Sequence, residues 1–281
     1  MQRVPPPSSD NMTGTRIIVY NWPASYCCQK VRMALMEKGL PFEVQHVDMV
    51  TGEEFEPWYL KLNPKAEVPT IKDGDYVLPD SQQILDYLER KYPTPPLQPR
   101  DPGELEKMKK LRARILTVDI RLLTFGTIQY PELSSNRKIT SKDLREFTGM
   151  QELLFRKAQE SLHRNPELAK LLEAKKHKFA SMMDILKDVK NVAHYLDSLE
   201  PIFDDCENAL AAQANRDHFL CSKEFTLADI SLCCLLNRID MVGLKDRYLD
   251  KRPKLQQYFK KIQQRKSYKD TFAFQNVTEP K

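Results

Sequence analysis

The stretch NWPASYCCQKVRMALMEKGL, residues 21–40, puts a hydroxyl at Ser25 and two adjacent thiols at Cys27 and Cys28. Helical spacing follows, with Val31, Leu35 and Met36 on one side and Gly39 as the stop. Two chemistries fit. A serine hydroxyl at the head of a helix can donate a hydrogen bond to a bound thiolate, and the positive end of the helix favours that anion. A cysteine in the first helical turn has a lowered pKa and can form a mixed disulfide with a small thiol. Two structural roles compete with these. Ser25 is also a good N-cap, and at least one of two adjacent helical cysteines should face the core, inert.

These groups need a frame. RIIVY (16–20) and FEVQHV (42–47) read as strands. EEFEPWYLKL (53–62) reads as a short helix interrupted by Pro57, and VPTIKDGDYVL (68–78) as a hairpin around Asp73-Gly74. SQQILDYLERKY (81–92) reads as a helix with Ile84, Leu85 and Leu88 inward. The resulting β-α-β-α-β-β-α order is thioredoxin-like. A proline-rich linker, PTPPLQPRDPGE (93–104), follows, and beyond it the chain reads as helix. Helices are expected over 107–125, over 192–212 with a kink at Pro201, over 225–239 and over 252–268. The 225–239 helix is the most apolar and so central; the last is basic and amphipathic. A polar segment of roughly 130–190 between the first two helices is longer than compact domains usually carry. The expected fold is an α/β thioredoxin-like domain (16–93) and an all-α domain (105–275) with that long helical insertion. A linker spans 94–104, a disordered extension covers 1–15, and 276–281 form a tail.

Composition narrows the chemistry. A net charge of +5 permits contact with an anionic membrane but lacks the clustered Lys/Arg and interleaved aromatics that nucleic acid requires. Eight glycines in 281 residues leave little room for a Gly-rich phosphate loop. The cysteines (27, 28, 206, 221, 233, 234) have neither metal nor CxxC spacing, so free thiols in a reducing compartment are expected. His46, His163, His177, His194 and His218 suggest no metal site. No run of 18 apolar residues occurs that could span a membrane. Lys175, Lys176 and Lys178, followed by Met182, Met183, Ile185 and Leu186, make either a solvated face or an amphipathic helix for a protein or membrane surface.

Three motifs carry a resemblance across nearly the whole chain: SYCCQKVRMALMEKGL, Glu67-Val68-Pro69-Thr70 with Asp80-Ser81, and Thr226-Leu227-Ala228-Asp229. Together they resemble the cytosolic glutathione transferase superfamily. Within it, NWPASYCCQKVR, YPEL (130–133), NPEL with its basic helix (165–186) and FLCSKEFTLADISL (219–232) are similar to the ganglioside-induced differentiation-associated protein 1 family, whose hallmark is the long insertion. The resemblance implies a cis bond at Val68-Pro69 and a Val68 backbone that pairs with glutathione like an added strand. It implies that Asp80-Ser81, at a helix start, receives the γ-glutamyl group. Ser25 would donate to the thiolate, and Cys27 is the candidate for thiol chemistry. Glu67 would repel the glycine carboxylate of glutathione by about 1–3 kcal/mol unless its side chain points away. The implied role is a non-classical transferase-fold protein in mitochondrial dynamics and fission, with weak or no transferase activity. The alternative is a working transferase that conjugates glutathione to small electrophiles through Ser25, or thiol chemistry at Cys27. Glutathione, weakly held, is the implied cofactor, without a metal. A homodimer and a protein or membrane-surface contact through 130–190 are the implied partners. The family is tail-anchored in the mitochondrial outer membrane, facing the cytosol. The location implied by the resemblance is the mitochondrial outer membrane if a tail anchor exists beyond FAFQNVTEPK, and the cytoplasm otherwise.

Overall fold

A computed structural model describes residues 16–135, 149, 153–154, 156–161, 163–213 and 218–273. The expected N-terminal extension and C-terminal tail lie outside the described residues, as does part of the insertion.

The first elements follow the expected order. β1 (Ile17–Asn21) leads through α1 (Tyr26–Glu37) to β2 (Phe42–His46), which pairs parallel to β1. A 3-10 turn (Glu53–Phe55) and α2 (Pro57–Leu60) come next. Pro57 therefore starts a helix rather than interrupting one, because the first helical turn needs no N–H from it. β3 (Thr70–Asp73) and β4 (Tyr76–Pro79) form the hairpin, with Gly74 at φ 64 in its turn, and α3 (Ser81–Lys91) follows. The sheet order is β2-β1-β3-β4. The Asp73 carboxylate ties the hairpin to α3: one of its oxygens accepts from Tyr87 Oη, Lys91 Nζ and Tyr92 Oη, each at 2.8 Å.

Beyond Thr94 three of the four expected long helices come as pairs. The 107–125 helix is instead α4 (Pro102–Ile115) and α5 (Ile120–Gln129). Asp119 starts α5 by accepting from the amides of Arg121 (3.0 Å) and Leu122 (3.2 Å), so its side chain caps the second helix. α6 (Ala169–Ile185) follows the insertion's 3-10 turn at Pro166–Leu168. The 192–212 helix is α7 (Val189–Ser198) and α8 (Glu200–Ala211); the expected kink is a break at Leu199, with Pro201 in the first turn of α8. α9 (Leu227–Met241) is the apolar helix, and α10 (Lys245–Leu249) follows it. The 252–268 helix is α11 (Pro253–Ile262) and α12 (Lys266–Ala273), separated by a turn at 263–265.

The chain divides into two compact units. The first holds residues 16–94, those of 145–181 that are described, and the last turn of α12 from Thr271. The second holds the described residues of 95–135 and 182–270. In the first unit, Phe55, Leu60 and Ala66 share a buried cluster with Leu154, Ala158 and Leu172, and Leu168 and Phe179 pack against it. Within this unit the inserted segment thus buries Leu154, Ala158 and Leu172 against the thioredoxin-like domain.

In the second unit α9 is buried almost throughout. Its N-terminus is a closed capping box, and Asp229 is fully buried there. One Asp229 oxygen accepts from the amide of Leu220 (2.9 Å) and from Tyr258 Oη (2.7 Å). The other accepts from the amide (2.8 Å) and hydroxyl (2.6 Å) of Thr226. Gly126 on α5 allows a close approach to α7: a Cβ there would stand 2.6 Å from Val192 Cγ1. Among the described residues, no helix is long and apolar enough to cross a membrane, and no group of three or more His, Cys, Asp or Glu could hold a metal. All six cysteines are free thiols.

Candidate functional site

Sheet register brings the predicted residues to one end of the first unit. Tyr20 on β1 lies opposite Thr70 on β3, and Thr70 lies opposite Pro79 on β4. The loop after β1 carries Ser25, the residues before β3 are Val68-Pro69, and the residues after β4 are Asp80-Ser81. Three loops far apart in sequence therefore emerge side by side.

Ser25 is the N-cap of α1, with φ −70 and ψ 120, and its Oγ accepts from the Cys28 amide at 3.3 Å. Accepting leaves its own O–H to donate. Cys28 is fully buried, and its thiol accepts from the Trp22 amide at 3.5 Å. Burial pushes that thiol up to about 11, against the lowering influence of Ser25 and Arg32, so it stays protonated and inert near neutral pH. Cys27, one position earlier in the first turn, is partly exposed. The two thiols thus differ in access, and of the pair only Cys27 can meet a ligand.

Local sequence does not betray what holds the Ser25 loop. Arg32 is fully buried and reaches back from α1. It donates to Asn21 Oδ1, to the Pro23 carbonyl (3.2 Å) and to the Thr271 carbonyl (3.0 Å). Gln29 adds a bond to the Pro23 carbonyl at 3.5 Å. Helical spacing marks Arg32 as one more polar position, and its partners become visible only in three dimensions.

The Val68 edge is built from the chain before it. The Val68-Pro69 bond is cis, and Ala66 has φ 51, a left-handed conformation that non-glycine residues seldom adopt. The Glu67 carbonyl accepts from Tyr59 Oη (2.7 Å) and Asn63 Nδ2 (2.6 Å), and Tyr59 Oη also bonds Thr70 Oγ1 (3.0 Å). Burial raises the Tyr59 phenol well above its usual range, so it remains a donor. The Glu67 side chain is exposed, where water screens its charge. Among the described residues nothing hydrogen-bonds to the Val68 backbone.

Asp80 has φ 75 and caps α3: its Oδ1 accepts from the amides of Gln82 (2.8 Å) and Gln83 (3.2 Å). This narrows the expected anion site, because two of the first α3 amides are filled from within the chain. Ser81, largely buried, keeps its N–H at the head of the helix, and the second Asp80 oxygen remains for a cation. Side by side, an N–H, a hydroxyl and a carboxylate oxygen suit the two charges of an α-amino acid end.

Known proteins resemble this chain in sequence and fold. The family model for the N-terminal domain of glutathione S-transferase matches residues 19–96, and that for the C-terminal domain matches residues 175–270. The chain is 30% identical to human ganglioside-induced differentiation-associated protein 1-like 1, over 93% of this chain and 73% of that protein. It is 28% identical to the glutathione S-transferase TCHQD of Arabidopsis thaliana, over 89% of this chain and 87% of that one. A solved beta-etherase from Sphingobium sp. strain SYK-6 shares the fold with a TM-score of 0.66 at 19% identity, covering 92% of this chain and 99% of that one. With both transferase domains matched and the likeness sustained along nearly its whole length, the chain belongs to the ganglioside-induced differentiation-associated protein 1 family of the glutathione transferase superfamily.

Proposed function

We propose that this protein binds glutathione at the shared sheet end, conjugates it weakly or not at all, and serves mitochondrial dynamics. The alignment of Ser25, Val68-Pro69 and Asp80-Ser81 at one sheet end supports the binding half of this reading. The Val68 backbone, unpaired among the described residues, suits an extended tripeptide, which would add to it as a strand does. Ser81 would receive the γ-glutamyl carboxylate, the free Asp80 oxygen its ammonium, and the Ser25 hydroxyl the sulfur. Weak catalysis follows from what surrounds these groups. Asp80 fills two α3 amides and Cys28 is inert. The mitochondrial role, at the cytosolic face of the outer membrane, rests on kinship with the ganglioside-induced differentiation-associated relatives and on the inserted segment that the resemblance marks as their hallmark. A homodimer, usual for the fold, belongs to the same proposal.

A second reading, a working transferase, is favoured by the free O–H of Ser25 and by the Arabidopsis transferase among the relatives. Turnover of chlorodinitrobenzene separates the two. A rate near the uncatalysed background, unchanged in Ser25→Ala, is the expected result. Robust turnover that falls about 100-fold in Ser25→Ala, as when one oxyanion donor is removed, would establish the second reading instead. For the cellular role, depleting the protein should change mitochondrial length, and an unaltered network would remove that assignment.

A further inference from the structure

The inserted segment reaches the same edge. Lys175 Nζ on α6 donates to the Ala66 carbonyl, and its ammonium stands 4.6 Å from the centre of the Phe55 ring. Ala66 is the left-handed residue that turns the chain into Glu67, Val68 and Pro69. One turn earlier on α6, Leu172 is fully buried in the cluster with Phe55, Leu60 and Ala66, so the lysine stem starts from an anchored helix.

Two consecutive carbonyls before Val68 are therefore held from different sides. Tyr59 and Asn63 hold Glu67, and both belong to the thioredoxin-like domain itself. The Ala66 carbonyl is held by the insertion. A strained left-handed residue persists only where its surroundings fix it, and a charged donor makes the stronger kind of hydrogen bond. Lys175 also offsets a buried charge. Glu54 is fully buried and neither carboxylate oxygen has a hydrogen-bond partner from another residue. The charges that face it are Lys175 on α6 and, from its own loop, Asp48 and Glu53.

We propose that Lys175 is a positioning residue for the Val68 edge, and that the inserted arm, acting through it, sets how tightly that edge holds an extended thiol peptide. This rests on the reading of Val68 as the glutathione-pairing strand. A partner that lifts α6 loosens glutathione binding, and by reciprocity bound glutathione tightens the docked arm.

The test uses the full chain carrying Glu54→Gln as reference, so that the buried charge does not enter the comparison. Lys175→Met and Lys175→Arg are made in that background. Deuterium exchange of the peptide spanning 61–68 and calorimetric glutathione affinity are read for each. Lys175→Met should speed exchange and weaken glutathione each by about tenfold, and Lys175→Arg should restore both. Unchanged exchange in Lys175→Met, or a loss that arginine does not rescue, overturns the proposal. If the reference itself binds no glutathione, the binding reading fails while exchange still decides the brace. Should Lys175→Met not fold, Lys175→Gln, a weaker donor, is read by the same criteria.

Discussion

Asp229→Ala lowers the stability of the second unit by about 4 kcal/mol, the largest single-residue loss expected in this chain. Asp229 is fully buried and accepts four hydrogen bonds, from the Leu220 amide, Tyr258 Oη, and the amide and hydroxyl of Thr226. Truncation leaves four donors facing no acceptor in a site closed to water. It also opens the capping box of α9, the most deeply buried helix. Asp229→Asn keeps the shape but supplies a single oxygen and turns an N–H₂ toward donors, so it should lose about half as much. Urea or thermal unfolding checks the order Ala worse than Asn worse than wild type. Equal stability of all three would show that the box does not hold α9.

Glu54→Gln should stabilise the protein at pH 8 and leave it unchanged near pH 4. Burial drives the Glu54 carboxyl up to about 7 from its usual 4.5, and the nearby Lys175 only partly opposes this. Between those values the unfolded chain has lost the proton while the folded chain keeps it. The native state therefore binds more protons there, and stability falls as pH rises through the window, then levels above about 7. The shift amounts to roughly 3 kcal/mol, and glutamine, which never ionises, removes it. Unfolding curves from pH 4 to 8 for wild type and Glu54→Gln test this. Parallel curves across that range would contradict it, and so would a variant that is less stable at pH 8.

Residues that act on nearby backbone are legible in the sequence alone. Asp73-Gly74 announces its hairpin, Thr226-x-x-Asp229 its cap, and Ser25 a helix start, because each works only a few positions away. The break before α5 is hidden for a related reason. Asp119 sits inside an apolar pattern that continues on both sides, so periodicity runs through it while the backbone does not. The break at Leu199 shows in the sequence as a kink at Pro201, two residues on. The candidate site divides the same way. Val68-Pro69 and Asp80-Ser81 are visible through the family resemblance. Arg32 is not, since its bond to Thr271 spans 239 positions. Lys175 reads as one of a solvated basic cluster, yet it reaches Ala66, 109 positions away. Glu54 reads as an ordinary acidic residue of a short helix, and only packing reveals it as buried. Glu67 departs in the opposite direction. In the sequence its charge weighs against glutathione, while in the structure that side chain is exposed and the carbonyl beside Val68 is the part held in place.

That the sheet end is a glutathione site is tested most directly by calorimetric titration of glutathione into wild type and Asp80→Asn. Asparagine keeps the cap on α3 and tolerates the left-handed backbone at this position, so the fold is preserved while the carboxylate is lost. Wild type should bind with a dissociation constant below about 1 mM, and Asp80→Asn should weaken it about tenfold by losing the partner of the γ-glutamyl ammonium. No binding to wild type, or equal binding to both proteins, would contradict the assignment of Val68, Asp80 and Ser81 as the site.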